Sequence, residues 1–241
     1  MDTVKIDKKT VRMVAHQGCH VAEQWNSCPA FVAAGNRSYW GIETDIHVTA
    51  DGRYVVHHDV TTDHITGGLY RFDLTKTHSD ILRTVRLPDI DGRFRSDLVL
   101  PFVEDYIAIC KRYGKVAVLE VKDPFTKPQL EKLVALLQEL DYLQQTVFIS
   151  FHLECCLTLR QLLPEQPIQY LTDKTPDSAM LELLAEKRLD LDMEYHAVTG
   201  AVVEFLHKNG LQVNVWTCDD PAEAAGLIAL GVDYITSNTL E

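Results

Sequence analysis

The stretch from residue 41 to residue 59 combines acids and histidines at a spacing that suits metal-assisted acid–base chemistry. It reads G-I-E-T-D-I-H-V-T-A-D-G-R-Y-V-V-H-H-D. Glu43 and Asp45 are two residues apart, so in a strand their carboxylates share one face. Carboxylate oxygens are the ligands that Mg²⁺ and Ca²⁺ prefer. His58 adds an imidazole, which titrates near neutral pH and serves as a general acid or base.

Asp51-Gly52 is the preferred chemistry for a two-residue hairpin turn, and apolar, β-branched residues flank it. A turn centred there pairs Asp45 with His58 across the hairpin, with their Cβ atoms roughly 5 Å apart. The alternative is a half-exposed hairpin whose acids are solvated and whose buried face is Ile42, Thr44 and Ile46.

The surrounding elements predict how this stretch is positioned. Eight apolar runs alternate with helical segments, and each run reads as a buried strand. These strands are predicted near residues 11–15, 39–45, 116–121, 147–151, 168–171, 189–193, 211–216 and 232–236. Eight β-then-α units in 241 residues predict an α/β fold, a TIM (β/α)8 barrel, with the hairpin at its C-terminal face. We expect a single domain over 1–241, with an inserted loop region at about 59–100 that carries many charges and glycines.

Barrel active sites lie at the C-terminal ends of the strands, and polar residues recur there. His16 follows the first strand, Glu120 and Lys122 end the third, and Trp216 ends the seventh. Glu43, Asp45 and Glu120 together suit Mg²⁺ or Ca²⁺ better than zinc. Each residue also has a structural alternative: His16 as a packing residue, Glu120 and Lys122 as an ion pair, and Trp216 as core.

This combination indicates cleavage of a phosphoryl ester. Two histidines, His16 and His58, beside a metal can divide general-base and general-acid work, while Lys122 holds an anionic group. Activated side-chain nucleophiles are not evident in the pattern.

Composition restricts the partners. The net charge of −12 argues against nucleic acid or an anionic membrane surface. No apolar run approaches the ~18 residues of a membrane span, and residues 1–10 lack the apolar region of a signal peptide. The six cysteines form no C-x-x-C pair, which favours reduced thiols and a cytoplasmic protein. We expect a small-molecule substrate; the sequence does not indicate an oligomeric state.

The same residues carry a family resemblance that runs along nearly the whole chain. The sequence resembles the glycerophosphodiester phosphodiesterase family in a series of motifs that occur in the same order. They are H-Q-G at 16–18, E-T-D at 43–45, D-G at 51–52, V-V-H-H-D at 55–59, L-E-V-K at 119–122, I-S-F at 149–151, V-W-T at 215–217 and G-V-D-Y-I-T-S-N at 231–238.

The resemblance implies a metal-dependent enzyme that hydrolyses glycerophosphodiesters to glycerol 3-phosphate and an alcohol. It implies that Glu43, Asp45 and Glu120 bind the divalent cation and that His16 and His58 are the acid–base pair. Substrate contacts are assigned to three further residues, which are Lys122, Gln17 and Trp216. In this family the substrate's own glycerol hydroxyl attacks phosphorus, and water then opens the cyclic phosphate.

Two positions depart from the family pattern. Gln17 stands where the family has arginine, and Trp25 stands where it has glutamate. A neutral amide cannot replace the charge and the bidentate grip of a guanidinium on phosphate. Arg37 or an arginine from the inserted region, such as Arg95, is a candidate replacement.

Two other functions remain open on the sequence. One is a lysophospholipase-D-like activity, which an apolar inserted region at the mouth would favour. The other is a non-catalytic relative that binds metal or phosphate, which the lost arginine suggests. The complete set of acids and histidines favours the phosphodiesterase.

Overall fold

The computed structural model describes residues 2–241. Its strands are β1 (Arg12–Ala15), β2 (Gly41–Val48), β3 (Tyr54–Val56), β4 (Arg86–Pro88), β5 (Phe94–Val99), β6 (Val116–Val121), β7 (Thr146–Ser150), β8 (Ile168–Thr172), β9 (Asp190–Glu194), β10 (Val213–Trp216) and β11 (Tyr234–Ser237). Its α-helices are α1 (Cys28–Gly35), α2 (Ser79–Leu82), α3 (Val103–Tyr113), α4 (Lys127–Glu139), α5 (Leu153–Leu162), α6 (Ser178–Lys187), α7 (Gly200–Lys208) and α8 (Pro221–Leu230).

Eight parallel strands close into a barrel in the order β1, β2, β6, β7, β8, β9, β10 and β11. Closure is direct, because β1 pairs with β2 on one side and with β11 on the other. The predicted TIM barrel is therefore confirmed, and the predicted strands all occur within a few residues of their expected positions. In this closed order β9 lies four strands from β2 in either direction, so the two strands face each other across the barrel.

The interior of the barrel is filled mainly by branched apolar side chains. Val14, Val118, Val147, Ile149 and Leu171 form one buried cluster on the inward-facing positions. Such layers make the interior of the barrel a packed core and not a pore.

The helices cover the outside of the barrel. Phe31 of α1 and Tyr106 of α3 pack edge to face, with ring centroids 5.0 Å apart. The Tyr106 hydroxyl also donates to the carbonyl of Ile42 on β2. Among residues 2–241 no helix is long and apolar enough to cross a membrane.

The hairpin after β2 forms, but its predicted register is wrong by one residue. Ile46 pairs with Val56 and Val48 with Tyr54, which places His57, not His58, opposite Asp45. The connection holds three residues, since Thr49 bonds to Arg53 through the backbone and Gly52 closes the loop at φ +77°. A three-residue hairpin loop of this kind needs a left-handed residue near its end, which glycine supplies at low cost.

The inserted region has a small core of its own. Leu74, Leu82, Val85, Leu87 and Leu98 are fully buried there. Helix α2 supplies Leu82, and the β4–β5 hairpin supplies Leu87 and Leu98, so the region is more ordered than the loops expected from the sequence. Its two ends meet, because the Val56 amide donates to the Pro101 carbonyl at 2.9 Å.

Asp51 joins the hairpin turn to the inserted region, and we expect its removal to destabilise the protein. Its carboxylate accepts hydrogen bonds from the Thr49 hydroxyl at 2.6 Å and from the Ser79 amide and hydroxyl at 3.0 and 2.6 Å. Asp51→Ala should lower the free energy of unfolding by about 1–2 kcal/mol, measured by urea denaturation. These bonds hold the pKa of Asp51 below its ordinary value. The stability they contribute is therefore present above the unfolded pKa of about 3.9 and lost as pH falls through the folded pKa.

Asp91→Ala is the matched control, because Asp91-Gly92 is a second Asp-Gly turn. Its carboxylate accepts from the Arg93 amide of its own turn at 2.9 Å. We expect this change to cost about 0.5 kcal/mol or less. Equal losses in the two variants would contradict a role for Asp51 in fixing the inserted region.

Candidate active site

Three buried carboxylates converge at the C-terminal end of the barrel. Adjacent strands deliver them, since Asp45 on β2 pairs in register with Glu120 on β6, and Glu43 precedes Asp45 by two residues. One oxygen from each of Glu43, Asp45 and Glu120 lies within 4.8 Å of the others. They are 3%, 1% and 8% exposed, which rules out the half-exposed hairpin with solvated acids.

One cation and a few fixed dipoles face these acids. The Lys122 ammonium lies 3.0 Å from Glu120 Oε1 and 3.3 Å from Asp45 Oδ1. The Gln17 backbone amide donates to Glu43 at 2.8 Å, and its side-chain amide donates to Asp45 at 2.9 Å. The Asn26 side chain donates to the same Asp45 oxygen at 2.8 Å. Three acids thus share a single positive charge.

This imbalance separates the pKa values of the three acids. Burial raises the pKa of Glu43 well above its ordinary value, and the charges of Asp45 and Glu120 raise it further. Burial and Asp45 likewise raise the pKa of Glu120 to about 8, against the opposing effect of Lys122. Burial also acts on Asp45, but Lys122, His58 and the bond from Asn26 together hold its pKa below the ordinary value.

The acidic cluster fits a hard divalent cation. All its donors are oxygens, and neither a cysteine nor a histidine belongs to it. A divalent cation would balance the two charges that Lys122 leaves uncompensated when all three acids are ionised, and would lower their pKa values. The three acids named as ligands in the sequence analysis thus lie close enough together that they could hold a metal ion.

His16 and His58 both border the same cavity, which has a volume of about 210 Å³. His16 Nδ1 lies 2.7 Å from the Asn238 side-chain oxygen, and Asn238 in turn donates to Asp219 at 2.6 Å. His58 Nδ1 lies 2.8 Å from the Asp59 carboxylate. Each Nδ1 therefore donates a proton to an oxygen, and no group of residues 2–241 hydrogen-bonds either Nε2.

The two histidines differ in exposure. Burial lowers the pKa of His16, although the bond to Asn238 and the charge of Asp45 oppose this. The side chain of His58 is 46% exposed. His16 is half-buried, and a neutral imidazole in such a position is suited to accept a proton at neutral pH.

His57, which does lie opposite Asp45, is a packing residue. It is fully buried, and its ring stacks on Trp25 with centroids 5.8 Å apart. Burial lowers the pKa of His57 to about 4. Trp25, which stands where the family has glutamate, therefore lies against the hairpin and does not line the cavity.

Gln17 is not placed at the cavity wall. Gln17 is 6% exposed, and its side-chain amide donates a hydrogen bond to Asp45, so it lies among the acids. The arginines considered as substitutes lie elsewhere, since Arg37 pairs with Asp2, and Arg95 pairs with Glu23, Asp89 and Asp97. Lys122 is the only lysine or arginine that lines the cavity within residues 2–241.

The cavity also includes residues to which the sequence analysis assigned no role in the site. Trp216 is present as expected, and the additional lining residues are Ile149, Phe151, Leu171, Asp192 and Thr236. They lie on β8, β9 and β11 and at the ends of β7 and β10. The only sequence signal for Asp192 is the alternation L-D-L-D-M-E at 189–194, which predicts a strand but does not indicate a functional role for its acids.

Comparison with known proteins agrees with this architecture. The model of the glycerophosphoryl diester phosphodiesterase family matches residues 16–241. The chain belongs to this family. Its barrel thus belongs to a known family of phosphodiesterases.

Individual relatives are distant but cover most of the chain. A glycerophosphodiester phosphodiesterase of Bacillus subtilis is 27% identical over 249 residues, which cover 93% of this chain and 82% of the relative. The crystal structure of a Parabacteroides distasonis glycerophosphodiester phosphodiesterase is 25% identical, with a TM-score of 0.78 and coverage of 95% and 93%. An Oleispira antarctica phosphodiesterase, solved with its product sn-glycerol-3-phosphate, shares the fold at 20% identity and a TM-score of 0.83, covering 98% of this chain and 96% of that one.

We expect Mg²⁺ or Ca²⁺ to stabilise this family member, and Glu120→Gln to reduce the effect. A cation at about 100 times its Kd adds about 2.7 kcal/mol to the free energy of unfolding. Thermal unfolding with EDTA, Mg²⁺ and Ca²⁺ measures it. Asp123→Asn is the control, because Asp123 follows the same strand but pairs with His47 at 2.8 Å. Equal metal-induced shifts in wild type and Glu120→Gln would contradict the site.

Without metal, we expect stability to fall as pH rises toward 8. The pKa of Glu120 is about 8 in the folded protein, against about 4.3 in the unfolded chain. Between these values the folded state holds a proton that the unfolded state has released, so the free energy of unfolding decreases. Urea denaturation in EDTA from pH 7 to 9, above the titration of unfolded histidine, tests this. The free energy of unfolding of the wild type should fall with pH relative to that of Glu120→Gln, which has no carboxyl group to titrate at this position; a difference that stays constant with pH would be the contrary result.

Proposed function

We propose that this protein is a metal-dependent phosphodiesterase that hydrolyses glycerophosphodiesters to glycerol 3-phosphate and an alcohol. The observation that carries the proposal is one cavity bordered by Glu43 and Glu120 of the acidic cluster, by Lys122 and by two histidines with free Nε2 atoms. Family membership and the names of the relatives support the substrate class.

Glu43, Asp45 and Glu120 hold the divalent cation, Mg²⁺ or Ca²⁺, in this proposal. The cation supplies Lewis-acid stabilisation of the negative charge on the phosphoryl oxygens. Lys122 adds a fixed positive charge on the same side of the cavity, and its contacts with Asp45 and Glu120 orient it. Since Gln17 is neutral, Lys122 takes the larger share of phosphate binding.

In the first step His16 is the general base. Its Nε2 removes the proton from the glycerol hydroxyl next to the phosphate, and that oxygen attacks phosphorus. The bond from phosphorus to the alcohol oxygen breaks as His58, which begins this step protonated on both nitrogens, gives its Nε2 proton to the departing oxygen. The products are the alcohol and a cyclic glycerol phosphate. The Asn238 and Asp59 contacts keep each Nδ1 protonated, so that Nε2 is the atom that exchanges protons.

In the second step the histidines exchange roles. His58 takes a proton from water, whose oxygen attacks the cyclic phosphate. The bond to the glycerol hydroxyl oxygen breaks, and His16 returns the proton to it. Glycerol 3-phosphate results, and both histidines regain their starting states.

The inserted region does not favour a lysolipid substrate. No residue from 59 to 100 lines the cavity, so the region offers no apolar surface there for an acyl chain. The alternative of a non-catalytic protein that binds metal or phosphate rests on Gln17, which stands where the family has arginine. We propose small diesters in preference to both alternatives because all the acids and histidines of the proposed chemistry are present.

We expect release of glycerol 3-phosphate from glycerophosphocholine, glycerophosphoethanolamine or glycerophosphoglycerol with Mg²⁺ or Ca²⁺, and none with EDTA. His16→Ala and His58→Ala should each lower kcat about 100-fold or more, since each removes a proton-transfer group. His196→Ala is the matched control: His196 pairs with Glu194 at 2.7 Å as His58 pairs with Asp59, but it lies outside the cavity.

Near wild-type turnover in both histidine variants would contradict the assigned roles. Release from none of the three diesters, with the metal bound, would point to a lysolipid substrate or to a binding-only protein.

A further inference from the structure

The cavity has two chemically different sides. Strands β2 and β6 bear the acids and Lys122, whereas the opposite side is built mainly from apolar and aromatic groups. Ile149 and Leu171 line its wall. Phe151 and Trp216 meet at 79° with ring centroids 5.7 Å apart, so their planes form a corner. The Phe151 residue is 44% exposed.

A single carboxyl group interrupts this apolar side. Asp192 lies on β9, paired in register with Leu171 on one neighbour and Asn214 on the other. It is 1% exposed and lines the cavity, and its Oδ1 has no hydrogen-bond partner within residues 2–241. A buried polar atom without a hydrogen-bond partner destabilises the folded state, so its presence calls for an explanation.

Asp192 lies across the cavity from two of the three acids. Strand β9 faces β2 across the closed barrel, so Asp192 is on the far side from Glu43 and Asp45. A phosphate held at the acidic cluster and Lys122 would therefore direct one of its two substituents toward β9. In the proposed reaction, the departing alcohol is the substituent that varies between substrates.

We propose that Asp192, Trp216 and Phe151 form a binding site for a cationic head group, of the quaternary ammonium type, on the departing alcohol. This inference rests on the proposed function, because it names the substrate subclass of the same cavity. Aromatic faces attract cations through the ring quadrupole, and most strongly when the site is desolvated. The Asp192 carboxylate adds an opposite charge to the same cavity, while the apolar walls accommodate methyl groups.

The electrostatics of Asp192 are consistent with this role. Burial raises the pKa of the carboxyl well above its ordinary value, and the charge of Glu120 raises it further. A cation placed beside the carboxyl acts in the opposite direction, because an opposite charge favours the ionised form. Within residues 2–241, Lys122 is the only lysine or arginine that lines the cavity. It pairs with Glu120 on the other side, so it does not compete with a bound cation for the Asp192 carboxylate.

The first test is direct binding, which needs no turnover. Choline and its neutral carbon analogue 3,3-dimethyl-1-butanol are titrated into the metal-loaded protein by calorimetry. We expect choline to bind more tightly than the neutral analogue. Asp192→Asn keeps the shape and removes the charge, so it should weaken choline binding about tenfold or more.

Asp190→Asn is the matched control for this variant. Asp190 is the acid two residues earlier on the same strand, but it accepts from the Gln212 amide at 2.8 Å and does not line the cavity. Phe151→Leu is a second test that does not depend on the folding of a core variant, because Phe151 is exposed. It should weaken choline binding by about three- to fivefold.

The second test is the specificity ratio. In the wild type we expect kcat/KM for glycerophosphocholine to exceed that for glycerophosphoglycerol, and Asp192→Asn to lower this ratio about tenfold or more. A ratio unchanged by the substitution, or equal binding of choline and its neutral analogue, would overturn the inference. If none of the diesters released glycerol 3-phosphate, the proposed function would be refuted. The choline titration would still test the binding site, because it does not depend on turnover.

Discussion

Mutual repulsion among the three buried carboxylates is the constraint on which the mouth of the barrel depends. Glu43, Asp45 and Glu120 place oxygens within 4.8 Å of one another, away from water. Lys122 offsets part of this repulsion, and Gln17 supplies neutral donors to two of the acids. The barrel holds the acids together because their strands are adjacent and in register, so packing of the whole sheet opposes their separation.

Most of the fold could be predicted from the sequence because its signals are local. Apolar runs separated by capped helices define eight strands, and a two-residue spacing places Glu43 and Asp45 on one face. The hairpin register could not be derived in this way. Asp51-Gly52 permits either a two- or a three-residue loop, and hydrogen bonding of Thr49 with Arg53 decides between them. His58 nevertheless borders the cavity, because it follows β3.

The far side of the cavity was harder to predict because long-range closure creates it. Asp192 lies beside Leu171 and Asn214 only because β9 pairs with β8 and β10. The sequence of β9 alone does not indicate which of its acids faces the cavity. Trp216 could be named as a strand-end residue, but its partner Phe151 depends on the same closure. Gln17 shows a different difficulty. The sequence places it in the H-Q-G motif, but it does not show that the side chain turns toward Asp45 and donates a hydrogen bond to it.

The base of the inserted region has an evolutionary consequence. Val56 and Pro101 are joined by a backbone hydrogen bond, so more than forty intervening residues leave the barrel and return at one point. A segment with adjacent ends and its own apolar cluster can change in length or sequence while the eight barrel strands keep their register. His58 lies just past this junction and is the one proposed catalytic side chain within reach of such changes. Changes in the inserted region would therefore reach the position of His58 before they reach the acidic cluster.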